Sequence, residues 1–440
     1  MARSANPADP VRRGAHPRIL QVEFFSHGGL YHYGLQLALG LAAQGAEVLL
    51  LTGKNPELLP PAGARPDRLR LEPRLLTWNP CRGVKGWRRR PARGLHALQY
   101  LTAWEQVLAR AQSWRPDWVL LGDLERRCDG WGVARLRQLG FPVADVWHNV
   151  QPISRIPGQP LTRFPAWRSR LAQVLDLLIV HGEKAGVQIR PYARRVLAIP
   201  HGDEGLLRAA TGENPGLDQK YHLPSGLPLG LCFGSLTRYK GLEFLIESLA
   251  VLPADERPLL LIAGRPLADA EVGRWQARAR ELGLEPWLRW DLRYIPAEEV
   301  GWYFQRADFV CLPYQTITQS GVAHLGLTWG KPLMVTDVGE LGSLVADRQD
   351  GWCVPPGDRA ALARALREAR LEPERLRCMK QAAHRRAQSH PSWDSIARQI
   401  LQAMSAVRLD HAAASQPSPA EAGNQTSRNT GEAQVLNPKS

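Results

Sequence analysis

Thr318-Gln319-Ser320-Gly321-Val322 and, one short helix later, Gly330-Lys331-Pro332-Leu333-Met334-Val335-Thr336-Asp337-Val338-Gly339 decide how this chain folds. The run reads as a loop, a helix opening at Ser320, a buried strand and a second glycine turn. Strand, turn and helix in this order make a parallel α/β pattern, with its turns at the carboxyl edge of the sheet. Ser320 suits an N-cap and Gly321 lets the backbone come close. The free amides of the first helical turn then carry roughly half a positive charge. A diphosphate is the ligand that such amides suit.

Outward from this stretch, short apolar runs alternate with helical patterns. In the first half the strand-like runs are 19–25, 47–51, 118–121, 143–147, 177–180 and 196–199; in the second they are 229–233, 259–263, 309–312 and 333–336. Two α/β units with parallel sheets follow. A polar stretch with Gly212, Asn214, Pro215 and Gly216 separates them, so the expected division is 18–205, a linker 206–224, and 225–390. Pro391-Ser392-Trp393-Asp394 opens a last helix, 391–408, with Ile396, Ile400, Met404 and Val407 on one face. Residues 1–17 and 409–440, mixed and without period, are expected to be disordered.

Composition bounds the function classes. The 440 residues have 44% hydrophobic and 22% charged side chains, and no unbroken apolar run is long enough for a membrane-spanning helix or a signal sequence. Six scattered cysteines without a CxxC pair read as reduced thiols of a cytoplasmic protein. A net charge of +14 without zinc spacing, helix-turn-helix or RNA-binding aromatic motif points to anionic substrate or lipid rather than nucleic acid. Residues 73–104 hold seven basic and no acidic side chains, interleaved with Trp78, Trp87 and Trp104. Such a stretch can lie on an anionic membrane surface, the inner face for a cytoplasmic protein; a solvated arginine-rich loop reads the same way.

Several turns carry candidate chemistry. Ser26-His27-Gly28-Gly29-Leu30 joins the first strand to a helix, but lacks the G-x-G-x-x-G spacing and a ribose-binding acid, which argues against a dehydrogenase. Gly326-Leu327-Thr328-Trp329-Gly330-Lys331 is one residue short of a P-loop and runs into Pro332. No D-x-D pair or histidine cluster has metal-ligand spacing, so no protein-held metal is expected. Gly234-Ser235-Leu236-Thr237-Arg238-Tyr239-Lys240-Gly241 puts Arg238 and Lys240 where both could neutralise a departing diphosphate. His148, His181 and His201 each follow a strand; His148 is the favoured functional one and His201 is expected to shape the hinge.

In order and spacing, these pieces resemble the retaining glycosyltransferases of the GT-B fold, group 1, over about residues 18–408. The pieces are His27-Gly28-Gly29, Val146-Trp147-His148-Asn149, Ile199-Pro200-His201-Gly202, Phe233-Gly234-Ser235 to Gly241, Leu261-Ile262-Ala263-Gly264, Ala307-Asp308 to Tyr314, and Gly330-Lys331-Pro332 to Gly339. The resemblance implies two Rossmann-like domains facing a cleft, acceptor on the first and nucleotide sugar on the second, with the last helix crossing back. It also implies Lys240 on the donor diphosphate, Gly28 and Gly29 in the glycine loop beside it, and His148 near the transferring sugar. Ser235, Gly241, Gly264, Gln319, Ser320 and Gly321 would line the donor site. The donor enters as co-substrate, and no separate cofactor is implied.

Two departures stand out. The family's glutamate pair falls on Ile317 and Leu325, although a subgroup is similar in using Gln-Ser-Gly there. The usual arginine falls on Ser235, and Arg238 could supply its charge. The implied activity is retaining, hexosyl-type transfer to a glycan or lipid-linked hydroxyl in cell-surface polysaccharide or glycolipid synthesis. A binding member without turnover and a GT-B sugar-nucleotide epimerase remain as alternatives.

Overall fold

The computed structural model describes residues 16–61, 67–76, 89–150, 164–214, 216–267 and 269–414. The expected disordered ends therefore lie almost wholly outside the described residues, as does the middle of the basic stretch, 77–88.

Two parallel sheets form the molecule. The first contains β1 (Arg18–Glu23), β2 (Glu47–Gly53), β3 (Leu69–Leu75), β4 (Trp118–Gly122), β5 (Val143–Trp147), β6 (Leu177–His181) and β7 (Val196–Ile199), in the order β3-β2-β1-β4-β5-β6-β7. The second contains β8 (Leu229–Phe233), β9 (Leu259–Ala263), β10 (Leu288–Asp291), β11 (Phe309–Leu312), β12 (Leu333–Thr336) and β13 (Gly351–Val354), in the order β10-β9-β8-β11-β12-β13. Each order reverses beside the first strand, between β1 and β4 and between β8 and β11. That reversal opens a crevice at the carboxyl ends.

Alternation explains why the central strands are continuously apolar. Leu20 and Val22 pack on one face of the first sheet with Trp104 and Val107. Ile19, Val48, Leu50 and Trp118 pack on the other with helix Gly28–Ala43. Leu260 and Ile262 likewise face one layer of the second unit, and Leu259, Leu261 and Ala263 the other. Sheets covered on both faces need apolar side chains at both parities.

The last helix runs Trp393–Ala414, past the expected end at 408. Its Ile396, Ile400, Met404 and Val407 join the core layer of the first unit, although the helix follows the second in sequence. Close approach is possible because Gly40 has no side chain: a Cβ there would lie 2.9 Å from the Trp393 carbonyl oxygen.

Two expectations change. The stretch 206–224 is not a plain polar linker. It forms helices Gly205–Ala210 and Leu217–Lys220 and buries Leu207, Leu217 and Leu223 in the second unit's core. Trp104, read as interfacial, is fully buried and donates its indole N–H to Asp129 at 3.2 Å. Among the described residues no helix is long and apolar enough to cross a membrane.

Candidate active site

The carboxyl ends of the two sheets enclose a cavity of about 370 Å³ lined from both units. On the second unit, β8 ends at Phe233 and the chain turns through Gly234 at φ +93° into a short 3-10 turn, Arg238–Lys240. This folds Lys240 back under the strand end, where Nζ donates to the Phe233 carbonyl at 2.6 Å and lies 5.4 Å from the Tyr314 ring centroid. Only 6% of the residue is exposed, and burial lowers its pKa from 10.5 to about 8. No carboxylate accompanies this ammonium among the described residues, so it is a buried cation open to an anionic partner.

Opposite stands the N-terminus of helix Gly321–Thr328. Ser320 caps it, with Oγ accepting from the Ala323 amide at 3.3 Å. A Cβ on Gly321 would meet nothing within 4 Å, so the helix end faces open space. Gln319 Nε2, on the cavity wall, and Asn149 Oδ1, on the wall of the other unit, are buried and have no hydrogen-bond partner among the described residues. Buried polar atoms without partners are costly unless a ligand satisfies them.

The first unit contributes Gly28, Gly29, Leu30, His32, His148 and Asn149 to the wall. Gly28 takes φ +78°, and its amide donates to Glu57 Oε2 at 2.9 Å. Glu57 also receives His32 Nε2 at 2.9 Å, the Tyr294 hydroxyl at 2.7 Å and the Ala297 amide at 3.1 Å. Against the cost of its burial, His32, the Gly28 amide and Tyr294 hold its pKa down to about 2; Tyr294 and Ala297 come from the second unit. The Gly28 amide is therefore already engaged, and Glu57 clasps the two units beside the cleft.

His148 is 8% exposed, and burial lowers its pKa to about 3. It begins a row of imidazoles across the domain seam. His148 lies 4.9 Å from His181, His181 5.1 Å from His201, and His201 4.1 Å from His324 in a parallel stack. His324 Nδ1 is 3.1 Å from His390 Nε2, just before the last helix. Tyr33 packs edge-on against His148 at 4.5 Å. His201 belongs to this row and to the cavity wall as well as to the hinge.

Of the sequence-predicted residues, Gly28, Gly29, His148, Ser235, Lys240, Gly264, Gln319, Ser320 and Gly321 all line the one cavity. Arg238 does not: it is exposed and lies outside the wall, because the tight turn that buries Lys240 throws its neighbour two places back into solvent. Arg265, after β9, lines the wall instead; it shares the strand-end position and was legible only as the residue following Gly264. Gly241 is also outside the wall. At φ +70° its missing Cβ would lie 1.9 Å from the Pro313 carbonyl, so it is glycine for backbone contact rather than for ligand. Glu57, Glu204 and Tyr294 carried no sequence signal, being loop or hinge residues brought to the cleft by the fold. Among the described residues, no group of three or more His, Cys, Asp or Glu is placed to hold a metal ion.

Residues 215–386 match the family model described as glycosyl transferases group 1. The D-inositol 3-phosphate glycosyltransferase of Jonesia denitrificans is 24% identical over 410 residues, covering 85% of this chain and 90% of that protein. Sucrose-phosphate synthase from Thermosynechococcus elongatus shares the fold with a TM-score of 0.68 at 21% identity, over 90% of this chain and 100% of that one. Anabaena HepE in complex with UDP and glucose superposes with a TM-score of 0.63 at 16% identity, over 89% of this chain and 100% of that one. The second unit thus matches the group 1 glycosyltransferase family, and the chain as a whole shares the GT-B fold of these solved structures.

Proposed function

We propose that the chain transfers a hexosyl-type sugar from a nucleotide diphosphate donor to a hydroxyl acceptor with retention at the anomeric carbon. The observation that carries this reading is Lys240, a buried ammonium with no carboxylate partner among the described residues, on the wall of a cavity that also exposes the Gly321 helix end. A diphosphate would satisfy both. Arg265 adds charge where Arg238 cannot reach, and HepE, which shares the fold, was crystallised with UDP and glucose.

In the proposed reaction the bond from the anomeric carbon to the diphosphate oxygen breaks as the acceptor oxygen bonds to the same face. The acceptor's proton passes to the departing oxygen. Lys240 and the helix amides stabilise the charge that develops there, and the chemistry needs no enzyme nucleophile. Neutral His148, at the end of β5, would hold the sugar as a hydrogen-bonding partner rather than as a cation. We extend the proposal to glycan or lipid-linked acceptors in cell-surface polysaccharide or glycolipid synthesis, made at an anionic membrane surface from the cytoplasmic side. Leu95, Leu98 and Leu101 on helix Arg89–Trp114, at 46%, 61% and 41% exposure, support surface contact there.

The apolar Ile317 and Leu325 on the wall favour a second reading, binding without turnover. A thermal-shift screen with UDP-, GDP- and ADP-sugars tests the shared donor site, since a ligand bound only to the folded state raises its melting temperature. Release of nucleoside diphosphate separates the readings. Stabilisation without release in the presence of glycan acceptors removes transfer, and no stabilisation by any donor removes both.

A further inference from the structure

We propose that Glu204 supplies the carboxylate that grips the ribose hydroxyls of the donor, in place of the acidic side chain missing at position 325; this rests on the nucleotide-sugar reading of the cleft. Glu204 occupies the N-cap of helix Gly205–Ala210, yet its side chain makes no capping bond. Gln36 does that instead: its Oε1 accepts from the Leu206 amide at 3.1 Å, while its Nε2 donates to Glu204 Oε2 at 3.0 Å. A carboxamide from the first unit's helix thus clamps the glutamate by one oxygen. The other, Oε1, accepts no hydrogen bond among the described residues.

The residue is only 3% exposed, and it lines the cavity together with Leu207, Val300 and Leu325. Its amide donates to Thr328 Oγ1 at 2.9 Å, and Thr328 follows Leu325 by one helical turn on the same face. The hinge therefore brings a carboxyl to the helix face from which the family's glutamate is absent. Burial pushes this carboxyl up to about 8, and hydroxyl donors at the open oxygen would favour its ionised form and draw the value back down. A vicinal diol offers two O–H donors and fits an acceptor with one oxygen clamped and one open, in a wall otherwise suited to the apolar faces of a nucleoside.

The test is calorimetric binding of UDP, GDP and ADP, and of their 2′,3′-dideoxy counterparts, to the full chain and to Glu204→Gln. In the wild type, the diphosphate that binds is expected to bind about 10- to 100-fold more tightly than its dideoxy counterpart, the range of two hydrogen bonds to a buried carboxyl. Glu204→Gln should lose most of that preference while its affinity for the dideoxy form stays within about twofold. A variant that keeps the full ribose preference overturns the assignment and leaves the donor reading standing. If none of the three diphosphates binds the wild type, the donor reading falls and this inference with it. Should Glu204→Gln fail to fold, Glu204→Asp takes its place: withdrawing the carboxyl by one methylene should still reduce the preference, and an undiminished preference overturns the proposal.

Discussion

Lys240 shows how a single position can be poised for an anion by burial alone. Its ammonium has one carbonyl and one aromatic face for company, and desolvation draws its pKa down to about 8. Binding a diphosphate requires the protonated form, so affinity should be flat below pH 8 and weaken up to about tenfold per unit above it. Titration of nucleoside diphosphate binding between pH 7 and 10 measures this, and a flat profile would place the diphosphate elsewhere. Lys240→Ala should lower kcat/KM by about 10²- to 10³-fold, as loss of one charge-stabilising contact does. Because the substitution also removes a buried charge that has no carboxylate partner among the described residues, its melting temperature should not fall. Wild-type transfer rates in that variant would remove the lysine from the site.

Among the elements, the crossing helix Trp393–Ala414 is held by shape. Ile396, Ile400, Met404 and Val407 are each nearly fully buried, roughly 1.5–3 kcal/mol apiece relative to exposure. Their seat depends on Gly40, where a side chain would push into the Trp393 backbone. Gly40→Val should destabilise the fold by about 1–3 kcal/mol through overpacking, measured by urea unfolding; an unchanged midpoint would show that the helix can shift without loss. Helix Arg89–Trp114 presents the opposite case, an element with leucines left in solvent. Leu98→Glu should weaken cosedimentation with vesicles rich in anionic lipid several-fold while leaving transfer to a soluble acceptor unchanged. Equal sedimentation of the two proteins would remove the membrane from the proposal.

At the scale of the whole molecule, the imidazole row makes the domain seam sensitive to acid. His148 and His201 are drawn down to about 3 and 4 by burial, and His181 and His324 well below the ordinary value for the same cause, with neighbouring imidazoles adding to it. Each stays neutral when folded but takes up a proton when unfolded below about pH 6.5, so each costs stability as pH falls, by about 1.4 kcal/mol per unit. Glu23 and Glu204, pushed up to about 8 by burial, run the other way: their cost grows as pH rises from about 4.5 to 8. A difference measurement isolates the histidines. His181→Phe should gain about 1.4 kcal/mol more stability, relative to wild type, at pH 5.5 than at pH 7.5. An identical difference at both pH values would mean that His181 titrates normally in the folded protein.

The sequence by itself determined the alternation of strands and helices, the central strands of both sheets, the glycine turns and the lysine turn, because buried parallel strands and αL turns demand particular residues locally. The strands it did not reveal, Leu69–Leu75, Leu288–Asp291 and Gly351–Val354, are all outermost in their sheets. Edge positions tolerate Pro73, Arg289 and half-exposed side chains, which erases the apolar run that marks a central strand. Only the tertiary structure decided that Lys240 turns inward and Arg238 outward, that Arg265 joins the wall, and that Glu57 engages the Gly28 amide. It alone drew five histidines from both units and the hinge into one row. These are relations between segments distant in the chain, fixed by how two sheets meet across a cleft, and no local pattern of residues encodes that meeting.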